Sequence, residues 1–258
     1  MELTVPGYYK LRQYLRRSQA LRPLLAQARH LVLAGPLRPA IIAYHRAVAR
    51  ATPIKTNTLP YVEPFSIADA VKSLNENGFA AGVTVTSDCV DKLLECYEMN
   101  LVQSYDSPHL DHEFITELAH NERLVTVARQ YLKAEPIFLE SRLHCYNPDG
   151  SNSPGYFHYD VADALSVTFF VFLSDVEDEQ AVTHQVVGGT HKAKTFQELW
   201  THRLEDSGAL RRYPDRVHTI MGKRGTAWFE DPITFHKHGY VGKVRKTFSL
   251  QYSLHRQR

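Results

Sequence analysis

The chain has 258 residues, of which 43% are hydrophobic and 22% are charged, and its formal net charge at pH 7 is +2. This length and composition are sufficient for one large buried core and exclude collagen-like and intrinsically disordered chains. Three cysteines are too few for a disulfide framework, no apolar stretch is as long as a membrane span, and the N-terminus lacks the apolar run of a secretory signal. We therefore expect a cytoplasmic protein.

The first fifth of the chain, residues 1–55, is predicted to be a basic helical extension. Leucine and alanine recur at three- and four-residue intervals over residues 8–33, and a second helix is expected over 38–50. Residues 1–50 contain nine Lys or Arg and one acidic residue. Two interpretations fit this charge: peripheral contact with a membrane or a protein partner, or packing against the more acidic body of the chain. We expect no nucleic-acid binding, because no nucleic-acid-binding motif accompanies the charge.

A helical part is predicted over residues 66–133, after a linker that is rich in proline. Separate helices are expected over 66–77 and 87–100, with a short apolar segment from Gly78 to Val85 between them. A further single helix is expected over about 111–133. The first half of the chain is therefore predicted to be mainly helical.

From Pro136 onwards the pattern changes from helical to strand-like. Short aromatic and β-branched runs, separated by Gly and Pro, predict strands over 138–146, 166–173, 182–187, 226–229 and 244–254. Helices followed by short strands at irregular spacing are typical of an α+β chain with a β-sandwich or jelly-roll core. Residues 56–258 are accordingly assigned to one domain, with the jelly-roll core over 136–256.

One tripeptide in this region, His158-Tyr159-Asp160, has a pattern suited to metal binding. Side chains two residues apart in a strand point to the same face, so His158 and Asp160 can both reach one ion. The chain contains 14 histidines, so an H-x-D tripeptide by itself is a weak signal. A third ligand further along the β region would make it much stronger.

Two histidines near the end of the β region, His236 and His238, are candidates for that third ligand. They share one strand face, so strand geometry alone does not separate them. Two imidazoles and one carboxylate form the facial triad of non-haem Fe(II) oxygenases, which leaves positions open for a chelating 2-oxo acid and then for O2. The far carboxylate of such an acid requires a cation, and Arg245 offers a planar guanidinium nine residues after His236.

The last predicted strand alternates polar and apolar side chains. One face carries Arg245, Thr247, Ser249, Gln251 and Ser253. The other face carries Lys246, Phe248, Leu250, Tyr252 and Leu254. Such a strand lines a polar cavity with one face and packs against helices with the other, so Arg245 is directed into the cavity and Lys246 away from it.

The order of these motifs resembles the phytanoyl-CoA dioxygenase-like branch of the Fe(II)/2-oxoglutarate-dependent oxygenases. The resemblance covers roughly residues 66–254 and rests on the ordered set of H-x-D, a Gly-Gly-Thr-His-Lys segment from Gly188, a distal histidine and Arg245. There are two departures from the family pattern. Val187 stands where the family usually has proline, and His236-Lys-His-Gly replaces the His-Gly-Ser segment that is common near the distal histidine.

The resemblance implies a double-stranded β-helix core of the jelly-roll or cupin-like type, with flanking helices. It implies Fe(II) held by His158, Asp160 and His236, and 2-oxoglutarate as co-substrate with its far carboxylate on Arg245. The family spacing to the arginine favours His236 as the third ligand, which leaves His238 to line the pocket.

Two threonines, Thr168 and Thr247, are expected to make further contacts with 2-oxoglutarate. Thr168 follows the H-x-D segment on a strand where the resembled family often has a polar pocket residue, and Thr247 shares the face of Arg245. The other histidines of this region, His144, His184 and His191, are interpreted as structural or pocket-lining residues rather than ligands.

The resulting prediction is a hydroxylase-type dioxygenase that uses O2, oxidises a small or carrier-bound metabolite and releases succinate and CO2. The carboxylate of Asp160 disfavours a halogenating enzyme, which needs that position vacant for chloride. Two alternatives stay open from the sequence. One is a non-catalytic cupin-like protein that binds metal and ligand, and the other is an adaptor that docks on a membrane or partner through its basic N-terminal helices.

Overall fold

The computed structural model of the chain describes residues 22–49, 51–98, 104–146, 156–177, 183–239 and 244–254. Within these ranges it contains helices and two antiparallel sheets, which confirms the mixed helix-and-sheet class expected from the sequence. The beginning of the helix expected over 8–33 lies outside the described residues, as do the end of the helix expected over 87–100 and the first residue of the strand expected over 182–187.

The described α-helices are α1 (Arg22–Leu33), α2 (Arg38–Val48), α3 (Ile67–Asn77), α4 (Ser87–Glu98), α5 (Glu113–Ala119), α6 (Glu122–Leu132), α7 (Phe196–Thr201) and α8 (Asp206–Arg212), with a 3-10 helix at Pro108–Leu110. Local capping explains where several begin. The Ser66 hydroxyl accepts a hydrogen bond from the Asp69 backbone at the start of α3, and Thr195 and Glu198 cap α7 reciprocally. None of the described helices combines the length and apolar composition that crossing a bilayer requires.

The single helix expected over 111–133 is wrong, because the structure divides this segment into α5 and α6. Asn121 has an extended backbone, and its side-chain oxygen accepts a hydrogen bond from the Arg123 backbone at 3.0 Å, which begins a new helix. The amide nitrogen of Asn121 also donates to the Leu59 carbonyl at 2.9 Å. A tertiary contact that the helical pattern does not encode therefore holds the break in place.

The strands are β1 (Phe79–Thr84), β2 (Ser104–Asp106), β3 (Ile137–Tyr146), β4 (Phe157–His158), β5 (Ser166–Phe172), β6 (His184–Val187), β7 (Arg203–Leu204), β8 (Val217–Ile220), β9 (Thr226–Glu230), β10 (Phe235–His238) and β11 (Arg245–Ser253). One sheet has six strands in the order β1-β9-β5-β11-β3-β2, and the other has five in the order β7-β4-β10-β6-β8. The five predicted strands correspond to β3, β5, β6, β9 and β11. The apolar segment predicted between the two helices forms β1, which pairs with β9 at the edge of the six-stranded sheet.

Apolar clusters on both sides of the two sheets define the layers of the fold. Side chains of α3, α4, α5 and α6 pack with Phe169 and Phe248 on the outer face of the six-stranded sheet. A second cluster around Phe157 and Phe235 joins the five-stranded sheet to α1, α7 and α8. A third cluster, which includes Trp228, contains side chains from both sheets, so the two sheets face each other with helices outside.

The antiparallel register aligns side chains in rows across the inner face of the six-stranded sheet. One row consists of Glu230, Thr168, Gln251 and Glu140. The next row consists of Trp228, Phe170, Ser249, Arg142 and Asp106. The alternation expected on the last strand is present: Ser249 and Gln251 face inward, whereas Phe248 and Leu250 pack with the helices. Polar residues therefore cover much of the surface that faces the second sheet.

Candidate metal site

Two neighbouring strands of the five-stranded sheet bring His158 and His236 together. The two residues are direct partners in the antiparallel register of β4 and β10, and their ring centroids are 4.6 Å apart. Asp160 follows β4, and its backbone nitrogen donates to the Pro232 carbonyl at 2.8 Å. This hydrogen bond ties the segment that carries Asp160 to the turn that precedes His236.

The three side chains form a compact donor set. One ligand atom from each of His158, Asp160 and His236 lies within 4.8 Å of the others, and the Asp160 Oδ2 atom is 3.5 Å from His236 Nε2. The Asp160 side chain is 67% exposed, whereas His236 is buried. Two imidazole nitrogens and one carboxylate oxygen at these separations fit a divalent transition metal. The residues that the sequence predicted as ligands are thus brought together.

A buried carboxylate that the sequence analysis did not identify, Glu230, lies behind this donor set. Its Oε1 atom is 3.0 Å from His236 Nδ1, and its Oε2 atom accepts from His184 Nε2 at 2.7 Å and from the Trp228 indole at 3.2 Å. The Nδ1 atom of His236 also donates to the Thr234 carbonyl at 3.0 Å. Polar groups on the far nitrogen fix the tautomer and orientation of a ligating histidine, and here they direct Nε2 of His236 towards Asp160.

Glu230 also controls the charge of His236 in the metal-free protein. Burial lowers the pKa of His236, but the charge of Glu230 and the hydrogen bond with Asp160 raise this pKa to about 10. Burial conversely raises the pKa of Glu230, but the charges of His184 and His236 bring it below its ordinary value. At neutral pH the metal-free site therefore contains a buried ion pair, and a bound metal would replace the proton on His236.

Replacement of Glu230 by glutamine is expected to destabilise the metal-free protein by about 2 kcal/mol near pH 6. The pKa of His236 in the folded state, about 10, is above its unfolded value. The ion pair of Glu230 and His236 therefore stabilises the folded protein fully below about pH 6.5, the pKa of histidine in the unfolded chain. This stabilisation is lost as the pH rises towards the pKa of His236 in the folded protein. We expect the loss of unfolding free energy in Glu230→Gln to be larger near pH 6 than near pH 9, measured by denaturant titration with a chelator present.

Glu140→Gln is a matched control for this prediction, since Glu140 lies on the same row of the sheet and is partly exposed. Its substitution should change the free energy of unfolding little at either pH. An effect of Glu230→Gln that does not diminish from pH 6 to pH 9 would contradict the ion pair between Glu230 and His236.

His238 has different partners from those of His236. Arg245 Nη2 donates to His238 Nδ1 at 2.5 Å, and the Arg245 guanidinium lies 4.3 Å from the centre of the Tyr146 ring. Burial and the charge of Arg245 hold the pKa of His238 well below its ordinary value, so a neutral ring accepts this hydrogen bond. Burial lowers the pKa of Arg245 to about 10, so the guanidinium is still charged at neutral pH. His236, and not His238, lies with His158 and Asp160.

A cavity of about 400 Å³ lies between the two sheets at this point. The six-stranded sheet contributes Glu140, Arg142, His144, Tyr146, Thr168, Phe170, Ser249 and Gln251 to its wall. The other side of the wall consists of His158, Asp160, Val161, Ala162, His184, Pro232, His236 and His238. Of the residues predicted to contact 2-oxoglutarate, Thr168 lies on the wall, whereas Thr247 and Arg245 are buried and do not line it. Arg245 contacts two residues that do line the cavity, His238 and Tyr146.

The remaining candidate histidines differ in position. His144 and His184 both line the cavity, and His184 is held by Glu230. His191 lies outside this wall, where its Nε2 atom is 3.3 Å from the Asn75 carbonyl. Burial lowers the pKa of His191 to about 4, as expected for a neutral ring with a packing role.

Comparison with known proteins places the chain among solved structures of similar fold. No model of a known protein family matches the sequence, and no curated protein matches it. HygX from Streptomyces hygroscopicus, solved with nickel and 2-oxoglutarate, is 17% identical, with a TM-score of 0.57 over 74% of this chain and 87% of HygX. EctD from S. alaskensis, solved with 2-oxoglutarate and 5-hydroxyectoine, is also 17% identical, with a TM-score of 0.57 over 80% of this chain and 82% of EctD.

A third similar structure is the non-heme alpha ketoglutarate dependent epimerase SnoN from nogalamycin biosynthesis. It is 16% identical, with a TM-score of 0.55 over 72% of this chain and 82% of SnoN. At these identities the likeness establishes a shared fold. The narrower resemblance to the phytanoyl-CoA dioxygenase-like branch stays a prediction from the sequence.

Proposed function

We propose that this chain is a non-haem Fe(II)- and 2-oxoglutarate-dependent dioxygenase whose facing sheets form a double-stranded β-helix core. The observation that carries the proposal is the convergence of His158, Asp160 and His236 within 4.8 Å on the wall of the cavity between the sheets. Structures of similar fold hold 2-oxoglutarate together with nickel in HygX and together with 5-hydroxyectoine in EctD, which supports the same co-substrate here.

In this proposal Fe(II) is held by His158, Asp160 and His236. Bound Fe(II) with 2-oxoglutarate supplies the activation of O2 that oxidises a substrate C–H bond, with succinate and CO2 as co-products. Asp160 contributes the negative charge of the donor set. The Thr234 carbonyl and Glu230 hold the proton on Nδ1 of His236, so that Nε2 is the atom available to the ion.

Arg245 is proposed to bind the far carboxylate of 2-oxoglutarate. Its buried guanidinium lies directly behind His238 and Tyr146, which both contact it and both line the cavity. A planar guanidinium matches the geometry of a carboxylate, and burial strengthens the attraction because water screens it less. Thr168 on the cavity wall is better supported as a further contact than Thr247, which is buried and does not line the cavity.

The substrate is proposed to be a small polar molecule, or the polar end of a carrier-bound metabolite. The cavity volume of about 400 Å³ is in the range of small-molecule pockets. The wall opposite the ligand set carries Ser249, Gln251 and an ion pair in which Arg142 is 3.1 Å from Glu140. Hydroxylation is favoured over halogenation because the carboxylate of Asp160 occupies the position that a chloride ion would need.

The test is anaerobic addition of Fe(II) and then 2-oxoglutarate to the purified protein, with the visible absorption of the Fe(II)–2-oxoglutarate chelate as readout. We expect the band in the wild type and, at saturating 2-oxoglutarate, in His238→Ala, but not in His236→Ala. The two variants are matched, because each removes a buried imidazole from the same strand.

Retention of the band in folded His236→Ala would contradict the ligand assignment. A folded wild-type protein without the band would contradict the proposed function. The protein could also bind metal and 2-oxoglutarate but form no succinate under O2 with any of a set of polar substrates. This result would favour the non-catalytic ligand-binding alternative.

A further inference from the structure

One buried side chain of the N-terminal helices, Arg38 at the start of α2, connects three segments of the body, two of which adjoin the candidate metal site. It is only 7% exposed. Its Nε atom donates to the Ala164 carbonyl at 2.7 Å, its Nη1 atom donates to the His191 carbonyl, and its Nη2 atom pairs with Asp231 Oδ2 at 2.6 Å. A guanidinium can serve three acceptors in different directions because its donors form a rigid planar fork.

The first of these segments is the turn that precedes His236, which Asp231 organises. Asp231 is fully buried, and its Oδ1 atom accepts from the Ile233 backbone at 3.0 Å, while its carbonyl accepts from the Thr234 backbone at 2.8 Å. Between these residues, the Pro232 carbonyl receives the backbone hydrogen bond of Asp160. The carboxylate that Arg38 neutralises therefore shapes the turn that positions two of the three proposed ligands.

The second segment is the loop after the H-x-D tripeptide, residues 161–165. Arg29 of α1 donates to the Ala162 carbonyl at 3.0 Å, and Arg38 donates to the Ala164 carbonyl two residues later. His45 of α2 lies 3.4 Å from the Asp163 carboxylate between them. Three consecutive residues of this loop thus have a partner on α1 or α2, and the first of them, Ala162, lines the cavity.

In the described part of the chain, basic side chains of the N-terminal helices bind within the protein. Three arginines donate to backbone carbonyls of the body of the protein: Arg29, Arg38 and Arg46. The acceptor of Arg46 is the Leu132 carbonyl, at 2.8 Å. Carbonyl oxygens at loop and helix ends are natural acceptors for such cations. Of the two sequence interpretations of the basic extension, packing against the body is the one these arginines support.

We propose that α1 and α2 form a brace that positions the metal site, with Arg38 as its main positioning residue and Arg29 as its second. Hydrogen bonds around ligating residues typically affect metal affinity about 10- to 100-fold, because they hold the ligands in the binding geometry. This inference rests on the proposed function in one respect: it requires that His158, Asp160 and His236 hold a metal. It goes beyond that function by making residues 22–48 part of the site rather than an appendage.

The test compares Co(II) affinity, read from the visible absorption of bound Co(II), in three full-length variants. Arg38→Lys retains a cation beside Asp231 but cannot serve all three acceptors, and Arg29→Ala removes the contact with Ala162. Arg46→Ala is the matched control, because Arg46 lies on the same helix as Arg38 and also donates to a carbonyl, but contacts neither segment. We expect Arg38→Lys to weaken Co(II) binding about three- to tenfold, less than the loss of a direct partner of a ligand because Arg38 acts through the 231–234 turn and the 161–165 loop, and Arg46→Ala to change it less than about twofold.

Hydrogen exchange of the backbone over 160–165 provides a second readout that does not depend on metal. We expect faster exchange in Arg38→Lys and in Arg29→Ala, and wild-type exchange in Arg46→Ala. If Arg38→Lys does not fold, Arg29→Ala decides the question, since Arg29 is largely exposed. Wild-type Co(II) affinity and wild-type loop exchange in the folded variants would overturn the brace. Failure of the wild-type protein to bind Co(II) would instead overturn the proposed metal site.

Discussion

Replacement of Asp160 by alanine is expected to reduce the rate of 2-oxoglutarate decarboxylation at least about 1,000-fold, or about 4 kcal/mol of transition-state stabilisation, with the protein still folded. Asp160 is the one carboxylate among the three proposed ligands, so its removal leaves two neutral imidazoles to hold a divalent ion. Its side chain is 67% exposed to the cavity, and its backbone hydrogen bond to Pro232 is retained in alanine. The measurement is succinate release under O2, with circular dichroism as the folding check.

Asp88→Ala provides the control for this loss of activity. Asp88 is an exposed carboxylate on α4 whose described partner is Lys92, so its removal leaves the ligand set unchanged. We expect this variant to keep nearly full activity. Succinate formation above about one tenth of the wild-type rate in Asp160→Ala would show that the carboxylate is not part of the working metal site.

The second large effect is expected from Arg245→Met, which should raise the KM for 2-oxoglutarate about 10- to 100-fold while kcat at saturation changes much less. Methionine fills much of the buried volume of Arg245 next to Tyr146 and Phe172 but carries no charge. The rise in KM would therefore result from the missing charge-assisted contact with the far carboxylate and not from a cavity in the core.

Lys246→Met is the matched control for Arg245→Met, because the two cations are adjacent in the chain and lie on opposite faces of β11. The Lys246 ammonium packs over the Tyr97 ring at 4.6 Å, on the side of the helices. We expect Lys246→Met to leave the KM for 2-oxoglutarate unchanged. Arg245→Met should also lose the preference for 2-oxoglutarate over a 2-oxo acid that lacks the far carboxylate, and a fully retained preference would exclude Arg245 from that role.

The sequence predicted the main strands and the pairing of His158 with Asp160 because both depend on short-range patterns, whereas His236 was preferred to His238 only through the family resemblance. Alternation over the nine residues of β11 predicted that Ser249 and Gln251 line the cavity, but Arg245 and Thr247, predicted on the same face, are buried and do not line it. Two-residue spacing predicted that His158 and Asp160 lie together. Three short strands, β2, β7 and β8, were not predicted, because two to four residues are too few to show a period. The break at Asn121 was missed because a polar N-cap residue within an otherwise helical pattern resembles an ordinary surface position.

Glu230 and Arg38 were missed for a different reason. Each has a partner that is distant in the chain: Glu230 contacts His184, and Arg38 contacts Ala164 and Asp231. Only the tertiary register brings such residues together. The sequence does contain a signal in one case, because Glu230 follows the apolar residues Ala227 to Phe229 at the end of a strand, and a carboxylate at the end of a buried strand requires a partner.

The two sheets contribute to the cavity in different ways. The five-stranded sheet and its loop carry the three proposed metal ligands, whereas Glu140, Arg142 and most of the polar wall belong to the six-stranded sheet. Substitutions on β3 can therefore alter which molecules fit without moving the ligands. Variation confined to β3 would thus change the shape and charge of one wall of the cavity, while the proposed ligands on the other sheet and the proposed 2-oxoglutarate contacts Arg245 and Thr168 stay the same.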